Sequence, residues 1–197
     1  MYFCRTDFYV MNETLKKAVE VLRQGGVILY PTDTIWGLGC DATNATAVQR
    51  IYDIKQRTNS KAMLVLIDSS AKLQGYVREV PDIAWDLIDL SEKPLTIIYS
   101  GAKNLAENLV AEDGSIGIRI TRETFSKRLC EQFRKPIVST SANISNTTAP
   151  KSFSEIDENI KNNVDYIVDY RQNEKIKATA SSIIKLEVNG QITIIRK

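Results

Sequence analysis

The stretch that decides the fold is KPIVSTSANIS, Lys135 to Ser145, in which an apolar run passes directly into small polar residues. The β-branched residues of PIV indicate a buried strand, and hydroxyls and an amide follow where that strand ends. Ser and Asn are typical of turns and helix caps, which is the structural interpretation of this segment. The functional interpretation is that hydroxyls and backbone N–H groups at a strand end bind an anionic ligand.

Helical and extended patterns are interspersed on both sides of this stretch. Apolar spacing predicts helices over 12–24, after the capping residue Asn44, after Pro81, over 124–133 and over 152–162. Strands are predicted over 27–30, 62–67, 94–101, 115–120, 136–141, 165–170, 181–188 and 191–196, with a two-residue turn at Asn189-Gly190 between the last two. This order predicts one α+β (mixed α/β) domain over 1–197, built on a mixed sheet flanked by helices.

The composition excludes several classes of protein. The chain has 197 residues, a formal net charge of +2 and no histidine, so catalysis by Ser-His-Asp or Cys-His groups is excluded. No glycine pattern of the dinucleotide-binding or P-loop kind is present. Three widely spaced cysteines and the lack of a long apolar run predict reduced thiols in a cytoplasmic protein without a membrane segment. The near-neutral charge argues against a uniformly basic surface for nucleic acid.

Two groups of cations are candidates for anion binding. Lys55, Arg57 and Lys61 fall within KQRTNSK at a helix-to-strand connection, where a guanidinium fork and point charges suit polyphosphate. The alternative is a solvated charged loop. In SIGIRI, Arg119 stands on the polar side of an alternating strand beside Gly117, which fits a carboxylate or phosphate site. The alternative there is an ordinary ion pair on a sheet face.

The motifs GGVILYPTDTIWGLGCD, IYDIKQRTNSKAMLVLI, SIGIRI and KPIVSTSANIS, in this order, resemble the YrdC-type domain of the threonylcarbamoyl-AMP synthase family. The resemblance is collinear from about Leu15 to Arg196. It implies a strongly twisted, largely mixed sheet with a concave basic groove. It also implies a short-form nucleotidyltransferase that converts L-threonine, bicarbonate or CO2, and ATP into threonylcarbamoyl-adenylate and pyrophosphate, for threonylcarbamoyladenosine modification of tRNA.

The resemblance further implies roles for individual residues. The catalytic contacts with the ATP phosphates fall to Lys55, Arg57 and Lys61. Binding of ATP involves Arg57, Lys61, Ser115, Ser141, Asn143, Ala149 and Arg196, and binding of threonine involves Thr34, Arg119, Ser139 and Ser181. No dedicated metal cage is evident in the sequence, so Mg2+ is expected to arrive with the ATP phosphates.

Two other functions stay open at this point. A module that binds tRNA or double-stranded RNA through phosphate contacts is one alternative. An adenylating or carbamoylating enzyme with another substrate is the second, because small polar residues do not by themselves select threonine. For the leading interpretation, the resemblance implies a threonylcarbamoyl-transferase complex as the downstream partner.

Overall fold

A computed structural model of the chain describes residues 5–57, 63–174 and 180–197, with side chains from residue 10 onward. Within these residues, nine strands form one sheet: β1 Ile28–Tyr30, β2 Gly37–Gly39, β3 Leu64–Ile67, β4 Leu95–Tyr99, β5 Ile116–Ile120, β6 Ile137–Ser141, β7 Tyr166–Ile167, β8 Ser182–Leu186 and β9 Ile192–Arg196. Their order across the sheet is β7-β1-β2-β6-β3-β5-β4-β8-β9. Three pairs are parallel, β1 with β7, β3 with β5 and β4 with β8, and the others are antiparallel. The predicted mixed sheet is confirmed.

Helices cover both faces of this sheet. They are α1 Arg5–Arg23, α2 Ala45–Ile54, α3 Leu73–Tyr76, α4 Ile83–Leu90, α5 Thr124–Phe133 and α6 Glu158–Lys161, with 3-10 turns at Ser70–Lys72, Glu107–Leu109 and Phe153–Glu155. One buried cluster contains α1 and α5 residues together with Leu66 and Ile137 of the sheet. The second cluster contains residues from α2, α3 and α4 together with Ile116 and Ile118. Burying apolar surface on both faces is what a sheet with this topology requires.

Capping side chains begin three of these helices, α2, α5 and α6, and at α6 the side chain of Asp157 accepts from the N–H group of Asn159 at 2.8 Å. The Oδ1 atom of Asn44 accepts hydrogen bonds from the backbone N–H groups of Thr46 and Ala47, at 3.0 and 3.1 Å, as predicted for α2. The carboxylate of Glu123 accepts from the N–H groups of Phe125 and Ser126 at the start of α5. These bonds satisfy N–H groups that have no partner inside a first helical turn.

The structure corrects several predicted boundaries. Helix α1 begins at Arg5, not at Asn12, and the Oδ1 atom of Asn12 accepts from Nη2 of Arg128 at 2.9 Å instead of capping a helix. The helix predicted over 152–162 is a 3-10 turn and the short α6, because Ile156 between them is extended. The hairpin after β8 is closed by Glu187 and Gln191, so three residues rather than two form its turn.

Strand β2, Gly37–Gly39, is not among the strands predicted from the sequence. A Cβ atom on Gly39 would lie 2.7 Å from the ring of Tyr30 and 3.0 Å from the carbonyl oxygen of Val138. Glycine is therefore needed here because two neighbouring strands approach closely. Among the residues that the structure describes, no helix combines the length and apolar content needed to cross a membrane.

Candidate functional site

A pocket of about 290 Å³ lies beside the polar face of β5. Its described lining contains three guanidinium groups, from Arg57, Arg119 and Arg196, and no carboxylate; we call it the arginine pocket. The same lining includes the hydroxyl-bearing residues Thr34, Ser139, Thr140, Ser141 and Ser181. Several positive charges that line one pocket, surrounded by hydrogen-bonding groups, are the arrangement that binds an anion.

The sheet register brings these residues together from distant parts of the chain. Ser139 stands opposite Leu64 of β3, and Ser141 stands opposite Gly37 of β2. Residues opposite each other in a ladder project on the same face, so the end of β6 contributes its polar residues to the space beside β3 and β5. Ser181 reaches this space from the start of β8.

Arg119 is the most buried of the three arginines, with 3% of its surface exposed. Its Nη2 atom lies 3.0 Å from Oδ1 of Asp33, so the ion pair considered as the alternative does exist. Its Nε atom has no hydrogen-bond partner within the described part of the chain. A buried donor without an acceptor costs about 1 to 3 kcal/mol, and an acceptor supplied by a ligand would remove that cost. The side chain can therefore hold Asp33 and a further carboxylate at once.

Arg196 forms hydrogen bonds with Ser181, the residue that precedes β8. Its Nε atom donates to the carbonyl oxygen of Ser181 at 2.9 Å, and its Nη2 atom lies 3.4 Å from the Ser181 hydroxyl. That hydroxyl also lies 2.9 Å from Oγ1 of Thr96, which is opposite Arg119 in the sheet. Burial, and secondarily the positive charge of Arg119, lower the pKa of Arg196. A direct contact of Arg196 with a nucleotide stays a prediction.

Lys55 lies at the C-terminal end of α2, in the predicted helix-to-strand connection, and its ammonium group has backbone partners that the sequence does not indicate. Its ammonium group donates to the carbonyl oxygens of Ser141 and Asn143, the latter at 2.7 Å, and only 2% of the residue is exposed. Burial, followed by the charge of Arg57, lowers the pKa of Lys55 to about 7. The N–H group of Ser145 donates in return to the Lys55 carbonyl oxygen at 2.8 Å. The ammonium thus holds the end of β6, and its predicted contact with phosphate stays a prediction.

Arg57 follows directly after the end of α2. Gln56 adopts a left-handed backbone conformation, with φ of 49°, and the N–H group of Arg57 donates to the carbonyl oxygen of Tyr52 at 2.9 Å. A left-handed residue of this kind ends a helix and redirects the chain. Arg57 then lines the arginine pocket, where burial lowers the pKa of its guanidinium.

Three of the predicted site residues that the structure describes, Lys55, Ser115 and Asn143, are not part of this pocket's lining. Lys61 lies outside the described residues. Ser115 is buried, and its N–H group donates to Oδ1 of Asp113 at 3.0 Å. The amide nitrogen of Asn143 donates to the carbonyl oxygens of Ile144 and Thr147, which shapes the turn after β6. Ala149 does line the pocket.

Two residues beside the site escape the sequence analysis. Asp33 pairs with Arg119, and Thr96 contacts the hydroxyl of Ser181. A signal for Thr96 does exist, because it is the polar residue in the otherwise apolar run of β4. Burial is the main cause that raises the pKa of the Asp33 carboxyl, while the charge of Arg119 acts in the opposite direction.

The described residues include no group of three or more Cys, Asp and Glu side chains that could hold a metal ion. The arginine pocket itself offers hydroxyls but no carboxylate in its described lining. Mg2+ prefers carboxylate, phosphate and water oxygens, so this donor set suits an ion that arrives already bound to phosphate.

Comparison with known protein families identifies the family to which this mixed α/β fold belongs. The Sua5/yciO/yrdC family model, described as "Telomere recombination", matches residues 20–197. A curated protein named threonylcarbamoyl-AMP synthase from Pseudoalteromonas translucida (strain TAC 125) is 36% identical over 184 residues, which is 92% of this chain and 97% of that protein. A protein of the same name from Vibrio cholerae is 33% identical over 160 residues, 80% of this chain and 85% of its own length.

Solved structures resemble the chain over almost its full length. A variant of P. abyssi Sua5 superposes with a TM-score of 0.83 at 25% identity, over 92% of this chain and 55% of the Sua5 chain. P. abyssi Sua5 complexed with L-threonine gives a TM-score of 0.78 at 25% identity, over 87% of this chain and 50% of the other. The chain thus spans about half the length of these Sua5 proteins. E. coli YciO shares the fold, with a TM-score of 0.81 at 24% identity over 94% of this chain and 89% of its own.

Proposed function

The chain belongs to the Sua5/yciO/yrdC family, and from this premise we propose that it is a threonylcarbamoyl-AMP synthase. The reaction joins L-threonine, bicarbonate or CO2, and ATP, and it yields threonylcarbamoyl-adenylate and pyrophosphate. One observation carries the proposal: a single pocket lined by three arginines, several hydroxyls and no carboxylate in its described part. Both an amino acid carboxylate and a triphosphate require such positive charge. The relative that is solved with L-threonine supports the choice of amino acid.

The pocket divides between the two substrates in this proposal. Arg119 binds the threonine carboxylate, because its Nε atom is a buried donor with no partner among the described residues. The hydroxyls that surround the amino acid come from Thr34, Ser139 and Ser181. Arg57 binds the ATP phosphates together with Lys61, which lies outside the described residues. The nucleotide also contacts Ser115, Ser141, Asn143, the backbone of Ala149, and Arg196.

The chemistry requires alignment and charge neutralisation more than a protein base. The carbamate oxygen of threonine attacks the α-phosphorus of ATP while pyrophosphate leaves, and this transfer is accelerated mainly by positioning and electrostatic stabilisation. Arg57 stabilises the negative charge that accumulates on the leaving pyrophosphate. Lys55 contributes indirectly, since its ammonium fixes the carbonyl oxygens of Ser141 and Asn143 at the junction of the two substrates. The absence of histidine is compatible with such a mechanism.

The remaining parts of the proposal concern the surroundings of the reaction. Mg2+ enters on the phosphates, where it contributes positive charge, and the pocket holds the resulting complex through arginines and hydroxyls. A concave basic groove, which the family resemblance implies, would accept tRNA through phosphate contacts. The product passes to a threonylcarbamoyl-transferase complex in the cytoplasm.

A pyrophosphate-release assay tests the proposal. The protein is incubated with ATP and Mg2+, with each of the common amino acids in turn, and with or without bicarbonate. We expect pyrophosphate release that depends on both L-threonine and bicarbonate. Release with another amino acid would instead support an enzyme with a different substrate. Salt-sensitive binding of RNA without any pyrophosphate release would support the RNA-binding module.

A further inference from the structure

We propose that Asp33 is the positioning residue that sets the carboxylate-binding geometry of Arg119, an inference that rests on the proposed function of the pocket. The two side chains form an ion pair of 3.0 Å, in which 3% of the Arg119 side chain and 11% of the Asp33 side chain are exposed. Removing one partner of an ion pair this deeply buried is costly, because the charge of the other partner is left uncompensated.

Asp33 acts from behind the guanidinium and not from within the pocket. Arg119 lines the arginine pocket, whereas Asp33 is absent from its described lining. Asp33 instead lines a second space of about 100 Å³, which we call the apolar cavity, together with Ile118 and Ile120 of β5. A carboxylate in this place does not touch a ligand in the arginine pocket. It determines how the guanidinium is presented to that ligand.

The ion pair with Asp33 also fixes the orientation of the Arg119 guanidinium. A long arginine side chain loses about 2 kcal/mol of rotamer freedom when it is fixed, and a ligand would have to supply that ordering if the protein did not. Nη2 of Arg119 and Oδ1 of Asp33 are close enough for an ion pair, although the contact lacks the geometry of a hydrogen bond. Coulomb attraction to Asp33 therefore orients the guanidinium, and its Nε donor, which has no partner among the described residues, stays available. A substrate carboxylate therefore meets a pre-oriented donor.

Asp33 also provides negative charge next to a pocket that contains several arginines. Arg119 and Arg196 line the same pocket, and burial, followed by the positive charge of Arg119, lowers the pKa of Arg196. Asp33 supplies the negative charge beside Arg119 that offsets part of this positive charge before a substrate binds. Without it, the Arg119 guanidinium would shift toward other acceptors or solvent.

The loop that carries Asp33 is itself fixed. The hydroxyl of Thr32 accepts from the N–H group of Thr34 at 3.0 Å, and the carbonyl oxygen of Thr32 accepts from Nη1 of Arg171 at 3.3 Å. Arg171 in turn pairs with Glu123 at the start of α5, at 3.3 Å. The position of the Asp33 carboxylate is therefore determined by the backbone on both sides of it.

A double-mutant cycle tests this role. The variants are Asp33→Ala, Arg119→Ala and the double variant, each assayed for pyrophosphate release and for L-threonine binding by calorimetry. We expect Asp33→Ala to raise the KM and Kd for threonine about tenfold or more, because the buried Arg119 guanidinium loses its ion-pair partner and its fixed orientation, while the KM for ATP changes by less than about twofold. In the Arg119→Ala background, Asp33→Ala should add nothing, because it acts through that arginine.

Two further variants separate positioning from general stability. Asp33→Asn keeps the shape of the side chain and removes its charge, so it should raise the KM for threonine to nearly the same extent as Asp33→Ala. Asp41→Asn removes a buried carboxylate that pairs with Lys135 at 2.6 Å outside the described pocket lining. It should lower the Tm and leave the KM for threonine unchanged. Circular dichroism of each variant confirms that it is folded.

The outcomes distinguish the two proposals. Wild-type protein that neither binds threonine nor releases pyrophosphate with it would overturn the proposed function, and this inference with it. Wild-type protein that uses threonine, beside an Asp33→Ala variant with an unchanged KM for threonine, would overturn the positioning role alone. An equal effect of Asp33→Ala in the presence and absence of Arg119 would do the same.

Discussion

The two faces of β5 border two unlike spaces. On one face Arg119 lines the arginine pocket, of about 290 Å³, together with hydroxyl-bearing residues from β6 and β8. On the other face Ile118 and Ile120 line the apolar cavity, of about 100 Å³, which α4 helps to enclose through Ile88. Successive side chains of a strand point to opposite faces, so adjacent residues of one five-residue strand serve different purposes.

The comparison indicates that the polar residues of the candidate site and the apolar residues that pack the core lie on opposite faces of this strand. Residues on the pocket face keep polar groups buried at a cost in stability, and those on the cavity face stabilise the fold through apolar burial. Asp33 is where the two spaces meet, since it lines the apolar cavity and pairs with Arg119. Substitutions on the two faces should therefore change different measured quantities.

The largest expected effect is on the pocket face, from Arg57→Ala. We expect the rate of adenylate formation to fall about a hundredfold or more, the scale of a lost electrostatic donor, with the fold intact. The matched variant is Arg122→Ala on the cavity side, where the guanidinium donates to the carbonyl oxygens of Ile88 and Ser91 at 2.7 and 2.9 Å. It should lower the free energy of unfolding by about 1 to 2 kcal/mol and leave the rate nearly unchanged.

Pyrophosphate release at saturating substrate, with thermal unfolding of the same samples, provides both quantities. Near-normal turnover of Arg57→Ala would remove this residue from the mechanism. A comparable loss of turnover in Arg122→Ala would show that the two faces are not separable.

A smaller effect concerns the free-energy cost of burying the Lys55 ammonium beside the end of β6. Its pKa of about 7 lies below the ordinary value of 10.5, so between these values the unfolded chain binds more protons than the folded one. The free energy of unfolding therefore rises with pH above about 7. Burial raises the pKa of Cys40 and Cys130 above its ordinary value of 9.0, so ionisation of these thiols in the unfolded chain opposes the rise only near and above that pH.

Urea denaturation between about pH 7 and pH 8.5 isolates this contribution. We expect the free energy of unfolding of the wild-type protein to increase by about 1 kcal/mol across that range, and the increase to disappear in Lys55→Met. Lys185→Met is the matched control, because Lys185 lies at the surface beside Asp113 and Glu187. A wild-type stability that falls with pH in this window would contradict the lowered pKa of Lys55.

Local patterns were sufficient for much of the fold. The alternation of SIGIRI correctly predicts β5 with its two faces, and apolar spacing correctly predicts α5 from Thr124 to Phe133. Strand β2 could not be predicted, since Gly37 and Gly39 have no side chains that favour a strand. Their role depends on how closely Tyr30 and Val138 approach, which is a property of the folded chain.

The residues of the candidate site could also be predicted only in part. Eight of the twelve predicted residues line the arginine pocket: Thr34, Arg57, Arg119, Ser139, Ser141, Ala149, Ser181 and Arg196. The partners of Lys55 could not be predicted, because Ser141 and Asn143 lie 86 and 88 residues further along the chain. The same holds for the pairing of Asp33 with Arg119, which depends on where the loop after β1 crosses the end of β5. Roles in ligand binding remain predictions for all of these residues.

The smallest expected effects come from one methyl group on each face of β5. Ile118→Val removes a methyl beside the apolar cavity and should lower the free energy of unfolding by about 1 kcal/mol. Gly117→Ala adds a methyl on the pocket face, with its Cβ 3.4 Å from the Cβ of Leu64 and 3.4 Å from Cγ2 of Thr96. Both distances are ordinary van der Waals contacts, so the added methyl fits beside Thr96, whose hydroxyl meets that of Ser181 at 2.9 Å, and it reduces the space on this face.

We therefore expect Gly117→Ala to raise the KM for threonine about two- to threefold and to change stability by less than about 0.5 kcal/mol. Ile118→Val should leave both kcat and KM within about twofold of the wild-type values. Urea denaturation gives the free energy of unfolding of each variant, and pyrophosphate release gives its KM for threonine. Both substitutions could instead change the free energy of unfolding and the KM for threonine to the same degree. That result would show that the two faces of β5 are coupled, and it would contradict the functional separation of the two spaces.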